Sequence, residues 1–337
     1  MKIIQIICLT PDEMARVKSQ MFITGFNRSY QCESTPDFLH EARLELQQNP
    51  KDIEFEQLPF DYPLCISFTS GTTGAPKALV HSTGMFFASL RDFGIHQNCT
   101  RKDRLFNRSP NGWITWNMNV NALHLGLSLV LYDGDPFQES PTRFWDLADK
   151  FGITSAYMWS STIDFINVNG WGPTTEHSLK ALRQIFLVGS PPKRSTYDFL
   201  TKTVKPGLFC NSGYGCTEVF GLINGVNSNM PVYRGEAQIL SLGMDSRILD
   251  ENGSPVIGKR GVMVLGNPYP TLPVCLLHDE SKEKVRELYL SEYPGYITDT
   301  VQPSPIAAEL TGKTPQLPIA HLPHDWSVGF QKVVSTD

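Results

Sequence analysis

The chain has 337 residues, 41% hydrophobic and 19% charged, an ordinary globular mix that supports one large or two smaller domains with a real core. Its net charge of −5 gives no basic footprint, which argues against nucleic acid or an anionic membrane as partner; any anion binding must be local. The seven cysteines are odd in number and lack a Cys-x-x-Cys pair, so reduced thiols in a cytoplasmic protein fit better than a disulfide framework or a zinc site.

No stretch is long and apolar enough to span a bilayer. The Ile3–Leu9 run after Lys2 is short, stops at Thr10-Pro11 and lacks a small-x-small cleavage site, so it reads as a buried strand or as a start set inside a longer gene. Residues 1–53 are poorly patterned, with one helix candidate from Thr35-Pro36 to Leu46, capped by Thr35 and ended by Asn49-Pro50.

The apolar run Pro63–Phe68 then enters Thr69-Ser70-Gly71-Thr72-Thr73-Gly74-Ala75-Pro76-Lys77. Gly71 and Gly74 permit close backbone approach, Thr69, Ser70, Thr72 and Thr73 bring hydroxyls, and Lys77 brings a cation. Strand, hydroxyl-rich glycine loop and lysine are what a polyphosphate needs. The pattern cannot be fitted to Gly-x4-Gly-Lys-[Ser/Thr], so it is a different phosphate loop. Val80–Leu90 reads as the helix that follows.

Further along, Leu105–Asn107, Leu127–Tyr132, Ile153–Met158, Ile185–Val188 and Leu208–Cys210 read as strands, with helices at Arg143–Phe151 and Thr196–Val204. The strands repeatedly end in loops rich in Gly, Ser and Thr: after Phe68, at Gly189-Ser190-Pro191, and at Asn211-Ser212-Gly213-Tyr214-Gly215-Cys216-Thr217-Glu218. This alternation predicts an α/β fold with a parallel sheet and flanking helices, its ligand site beyond the carboxyl ends of the strands. Trp113 and Trp116 are candidates for an apolar substrate pocket. From Gly235 the pattern changes to short strands and hairpins, with one helix at Lys282–Leu290. The expected division is therefore an α/β core over 54–234, a small β-rich subdomain over 235–295, and a proline-rich tail over 296–337 that reads as linker or disorder.

Taken together the loops resemble the adenylate-forming (AMP-binding) superfamily. Thr69–Lys77 looks like its phosphate signature, Tyr214-Gly215-Cys216-Thr217-Glu218 is similar to its Tyr-Gly-x-Thr-Glu motif, and Val188-Gly189-Ser190-Pro191 stands where the family keeps a nucleotide-pocket loop. Within the superfamily the strings Gly112-Trp113-Ile114-Thr115-Trp116-Asn117 and Met230-Pro231-Val232-Tyr233-Arg234-Gly235-Glu236 resemble the acetoacetyl-CoA synthetase family.

The resemblance implies an acid–thiol ligase that converts ATP, a short carboxylate such as acetoacetate and coenzyme A into acyl-CoA, AMP and pyrophosphate through an acyl-adenylate. By that likeness Thr69, Ser70, Gly71, Thr72, Thr73, Gly74 and Lys77 hold phosphates, and Thr217 contacts the α-phosphate. Glu218 holds Mg²⁺. Gly189, Ser190, Pro191, Gly213, Gly215 and Cys216 border the adenine, with Tyr214 stacking on it. Asp299 is the ribose ligand. The family's Gly-Glu-Leu is here Gly261-Val262-Met263, and its ribose-binding Gly-Asp is split between Thr298-Asp299 and His324-Asp325-Trp326. Against the family pattern the chain also lacks the N-terminal half of the large domain and the C-terminal domain with its adenylation lysine. Impaired turnover is therefore expected. A non-catalytic nucleotide-binding remnant is the competing reading, and association with a chain that supplies the lost parts is a third.

Overall fold

The computed structural model describes residues 56–69, 76–109, 113–132, 134–257, 259, 261–279 and 281–298. The expected Thr35–Leu46 helix, loop residues Ser70, Gly71, Thr72, Thr73 and Gly74, residue Asp299 and the tail beyond it lie outside the described residues.

Strands β1 (Pro63–Thr69) and β2 (Lys77–Ser82) form an antiparallel hairpin, with Phe68 opposite Ala78 and Thr69 opposite Lys77. The helix expected from Val80 begins only at Met85: α1 (Met85–Ser89) runs on as a π-helical turn, Leu90–His96. The reason is burial. Val80, His81 and Ser82 are all buried in a strand paired on both sides, and a short apolar run reads alike as buried strand or buried helix.

The central sheet uses β3 (Arg104–Asn107), α2 (Ile114–Ala122), β4 (Ser128–Val130), α3 (Pro136–Glu139), α4 (Arg143–Phe151), β5 (Ser155–Trp159), α5 (Ser160–Val168), β6 (Gln184–Val188), α6 (Arg194–Asp198, continued by a π-helical turn Phe199–Val204) and β7 (Phe209–Ser212). Its five strands are all parallel, in the order β4-β3-β5-β6-β7. Alternate side chains feed two separate cores, as a strand's two-residue period requires. Phe106, Val130, Ala156, Met158, Ile185 and Leu187 pack under Trp145, Ile163 and Leu200 of α4 to α6. Their neighbours Leu105, Leu129, Tyr157 and Phe186 pack with Phe93 and Met118 on the opposite face. Asp135 caps α3 by accepting from the Phe137 amide, with Pro136 in the first turn, and α4 ends at Gly152 in the left-handed conformation (φ 57°).

After β7 the chain is antiparallel throughout. β8 (Gly215–Cys216) pairs with β9 (Gly221–Leu222), and β10 (Asn224–Gly225) with β11 (Ile239–Leu240). β12 (Ser246–Leu249) pairs with β13 (Val262–Leu265); β14 (Cys275–Leu276) adds to the free edge of β2. Helix α7 (Glu283–Leu290) then leads to β15 (Ile297–Thr298), which closes the β12-β13-β15 sheet. The chain is thus α/β with an antiparallel β-rich part, and no helix among the described residues is long and apolar enough to cross a membrane.

Candidate nucleotide-binding cleft

A cleft of about 320 Å³ opens beyond the carboxyl ends of β6 and β7, within the range usual for small-molecule sites. One wall is the segment from Val188 to Pro192 that leaves β6, and another is the Ser212–Glu218 segment that leaves β7. Thr69 and Lys77 enter from the β1–β2 hairpin, and Trp113 from the start of α2. Gly189 turns the first wall with φ 85°, and the Ser160 hydroxyl donates to the Ser190 carbonyl at 2.7 Å to hold it.

The second wall is a tight β8–β9 hairpin, and Thr217 and Glu218 stand in its turn. Glu218 is thus a buried turn carboxylate. Phe220 takes φ 47° there, and its amide donates to the Thr217 carbonyl at 3.1 Å. Gly215 is obligatory: a Cβ would stand 2.2 Å from the Gly221 carbonyl oxygen.

A buried brace fixes this hairpin from behind. Asp92 accepts from the Leu222 amide at 2.9 Å and from Arg91 Nε at 2.7 Å, while Arg91 Nη2 donates to the Leu222 carbonyl at 2.6 Å. Arg91 also lies 4.7 Å over the Tyr269 ring. His96 bonds the Val226 carbonyl through Nδ1 and accepts the Leu242 amide at Nε2, each at 3.0 Å. That pairing requires the neutral Nδ1–H tautomer, and burial holds the His96 pKa below its ordinary value.

At the mouth of the hairpin Lys77 Nζ stands 3.1 Å from Glu218 Oε1, with both side chains largely buried. The Tyr289 hydroxyl of α7 donates to the same oxygen at 3.2 Å, and its ring lies 4.7 Å beneath the Lys77 ammonium. His81, on β2, bonds the Thr271 carbonyl through Nδ1 at 3.0 Å. Burial lowers its pKa to about 4, against the opposing pull of that carbonyl and of Glu218, so the ring is neutral at physiological pH.

The expected site residues Thr69, Lys77, Trp113, Gly189, Ser190, Pro191, Gly213, Tyr214, Gly215, Cys216, Thr217 and Glu218 thus come together in one cleft. Trp116 does not: it is half-buried on α2 and is not part of the lining, because it stands two residues from both Ile114 and Met118, about 200° round the helix from the face that those two present. Sequence reasoning missed Glu236, which lines the cleft, and Tyr289, which touches Glu218. Glu236 lay inside a string noticed only for its likeness, and Tyr289 reaches Glu218 across 71 positions that no local pattern connects.

The donor set suits a magnesium–nucleotide complex. Mg²⁺ is usually held by one or two carboxylates together with substrate phosphates, not by a cage of protein ligands. The described residues contain no cluster of three or more His, Cys, Asp or Glu, whereas Glu218 offers one carboxylate beside the Lys77 cation.

A family model described as AMP-binding enzyme matches residues 15–272. The chain belongs to the AMP-binding enzyme family. Among AMP-binding relatives, acetoacetyl-CoA synthetase of Mus musculus is 40% identical over 244 residues, covering 72% of this chain and 36% of the relative. The protein of the same description in Macaca fascicularis is 38% identical over 260 residues, covering 77% and 38%. The solved acetoacetyl-CoA synthetase from Streptomyces lividans superposes with a TM-score of 0.69 at 31% identity, over 74% of this chain and 39% of that one. This AMP-binding chain therefore spans well under half the length of the relatives it matches.

Proposed function

We propose that the cleft binds Mg·ATP and belongs to an AMP-forming acid–CoA ligase of acetoacetyl-CoA synthetase type. The observation that carries this reading is the Lys77–Glu218 pair, which lines the same cleft as the Val188–Pro192 and Ser212–Cys216 segments beyond the carboxyl ends of β6 and β7. In this reading Lys77 and Thr69, with the loop between β1 and β2, neutralise the departing pyrophosphate, and Thr217 donates to the α-phosphate. Charge stabilisation of this kind carries most of a phosphoryl-type transfer. Glu218 holds Mg²⁺, which supplies further charge neutralisation when bound. Gly189, Ser190, Pro191 and the Gly213–Cys216 segment border the adenine with Tyr214 against its face, Asp299 meets the ribose, and Trp113 walls the acyl pocket.

Acetoacetate or a similar short acid is the proposed acyl substrate, with coenzyme A as acceptor, and the names of the relatives support this choice. A cytoplasmic setting agrees with the free thiols Cys65, Cys99, Cys210, Cys216 and Cys275. Acetoacetate-dependent exchange of pyrophosphate into ATP tests the proposal. Exchange above that of Lys77→Ala supports the ligase. No such excess, with Mg·ATP still bound, favours a nucleotide-binding protein without turnover.

A further inference from the structure

Tyr289 is buried at the end of α7, packed with Leu79 and Leu276. The helix that carries it is fixed at both ends. Buried Asp279 accepts from the amides of Lys284 at 3.3 Å and Val285 at 3.1 Å, and the Thr298 hydroxyl donates to the Tyr289 carbonyl at 3.3 Å. A phenylalanine would fill the same apolar niche. The hydroxyl needs another explanation, and its partner is a buried carboxylate in the cleft wall.

Both donors to Glu218, Lys77 Nζ and the Tyr289 hydroxyl, meet the same oxygen, Oε1. Oε2 is left with no hydrogen-bond partner among the described residues, on a side chain that lines the cleft. The Tyr289 ring meanwhile supports the Lys77 ammonium from below. One side chain therefore orients the anion through its hydroxyl and the cation through its ring. We propose that Tyr289 is a positioning residue for the Lys77–Glu218 pair, holding Oε1 so that Oε2 is presented to the magnesium of Mg·ATP. The inference rests on the cleft taking Mg·ATP, as set out above.

The test separates the two roles of the side chain. ATP binding to the full chain is followed by calorimetry as a function of Mg²⁺ concentration, for wild type, Tyr289→Phe, Glu218→Gln and the double variant, with thermal melts as a check on folding. Tyr289→Phe keeps the ring, so metal-free ATP binding stays within about twofold of wild type. Losing one hydrogen bond to a charged group should raise the Mg²⁺ needed for half-maximal binding by about tenfold or more. In the Glu218→Gln background the Phe substitution should leave Mg²⁺ dependence unchanged, because its effect runs through that carboxylate. If Tyr289→Phe shows wild-type Mg²⁺ dependence, or shifts it equally in both backgrounds, the positioning role is wrong. Failure of the wild type to bind Mg·ATP would overturn the nucleotide reading first and this proposal with it, a result visible before any variant is made. Should Tyr289→Phe melt early, the titration is repeated at a temperature at which that variant is folded, and the same Mg²⁺ shift must appear for the proposal to stand.

Discussion

Removing the Asp92 carboxylate should loosen the hairpin that presents Glu218. Asp92 is fully buried and Arg91 only 5% exposed, so Asp92→Ala leaves a guanidinium in the interior with the Leu222 carbonyl and the Tyr269 face as its remaining company. Breaking a buried pair from one side typically costs about 3–5 kcal/mol. The Leu222 amide loses its acceptor as well, a penalty of about 1–3 kcal/mol that overlaps with the first because both arise from one carboxylate. A total of about 4 kcal/mol is expected. Asp92→Asn keeps an oxygen for the amide and should cost about half as much. Urea unfolding followed by circular dichroism measures the change, and hydrogen exchange at the Leu222 amide shows whether it is local. Replacing both partners, Arg91→Met with Asp92→Ala, should cost about 1–2 kcal/mol less than the sum of the single variants, since no buried charge is then stranded. A loss below about 1 kcal/mol for Asp92→Ala, or strict additivity in the double variant, would refute the brace.

Three other outcomes follow from the same geometry. Gly225→Ala would put a Cβ 2.5 Å from the His96 ring, so a loss of about 1–3 kcal/mol is expected in urea unfolding, with His96→Ala relieving part of it. His81 and His96 both have folded pKa values below the unfolded value of about 6.5, so the unfolded chain binds more protons in acid. Their stabilising contribution is complete above about pH 6.5 and is lost as pH falls toward the folded values. For His81, with a folded value of about 4, the loss approaches ~3 kcal/mol, and a His81→Gln variant should show a flatter slope of stability between pH 6.5 and 4.5. Gln238 accepts from Asn211 and the Asn227 amide and donates to the carbonyls of Asn227, Met230 and Pro231, tying the segment before Gly235 to β7. Gln238→Leu should cost about 2–3 kcal/mol and speed exchange at the Asn227 amide, whereas unchanged exchange would show that other contacts hold that segment.

The parallel sheet was legible because its strands are short apolar runs closed by glycine-rich loops, and α4 because Phe144, Trp145, Leu147 and Ala148 bury one face before Gly152 stops the helix. Thr69, Lys77 and the Gly213–Glu218 segment were legible as site candidates as well, because their residue types stand out in sequence, and the structure brings them into one cleft. The β1–β2 hairpin was not. A strand buried on both faces has no alternation, and Val80-His81-Ser82 continued into Met85 as one helix-like run. Trp116 was taken with Trp113 because two tryptophans three positions apart look alike in sequence, although Trp113 is the extended residue before α2 and Trp116 lies inside the helix, off the face that Ile114 and Met118 present. The brace and Tyr289 stayed hidden for a further reason: Asp92 meets Leu222 over 130 positions and Tyr289 meets Glu218 over 71, distances at which only the fold decides.

The proposed function requires the Lys77–Glu218 pair to face a magnesium–nucleotide complex in the cleft. Calorimetric titration of the full chain with Mg·ATP, beside Lys77→Ala and Glu218→Gln, measures this. Saturable binding to the wild type is expected, weakened at least about tenfold by Lys77→Ala, with loss of Mg²⁺ dependence in Glu218→Gln. Absence of binding to a folded wild-type chain, or equal affinity across all three proteins, would contradict it.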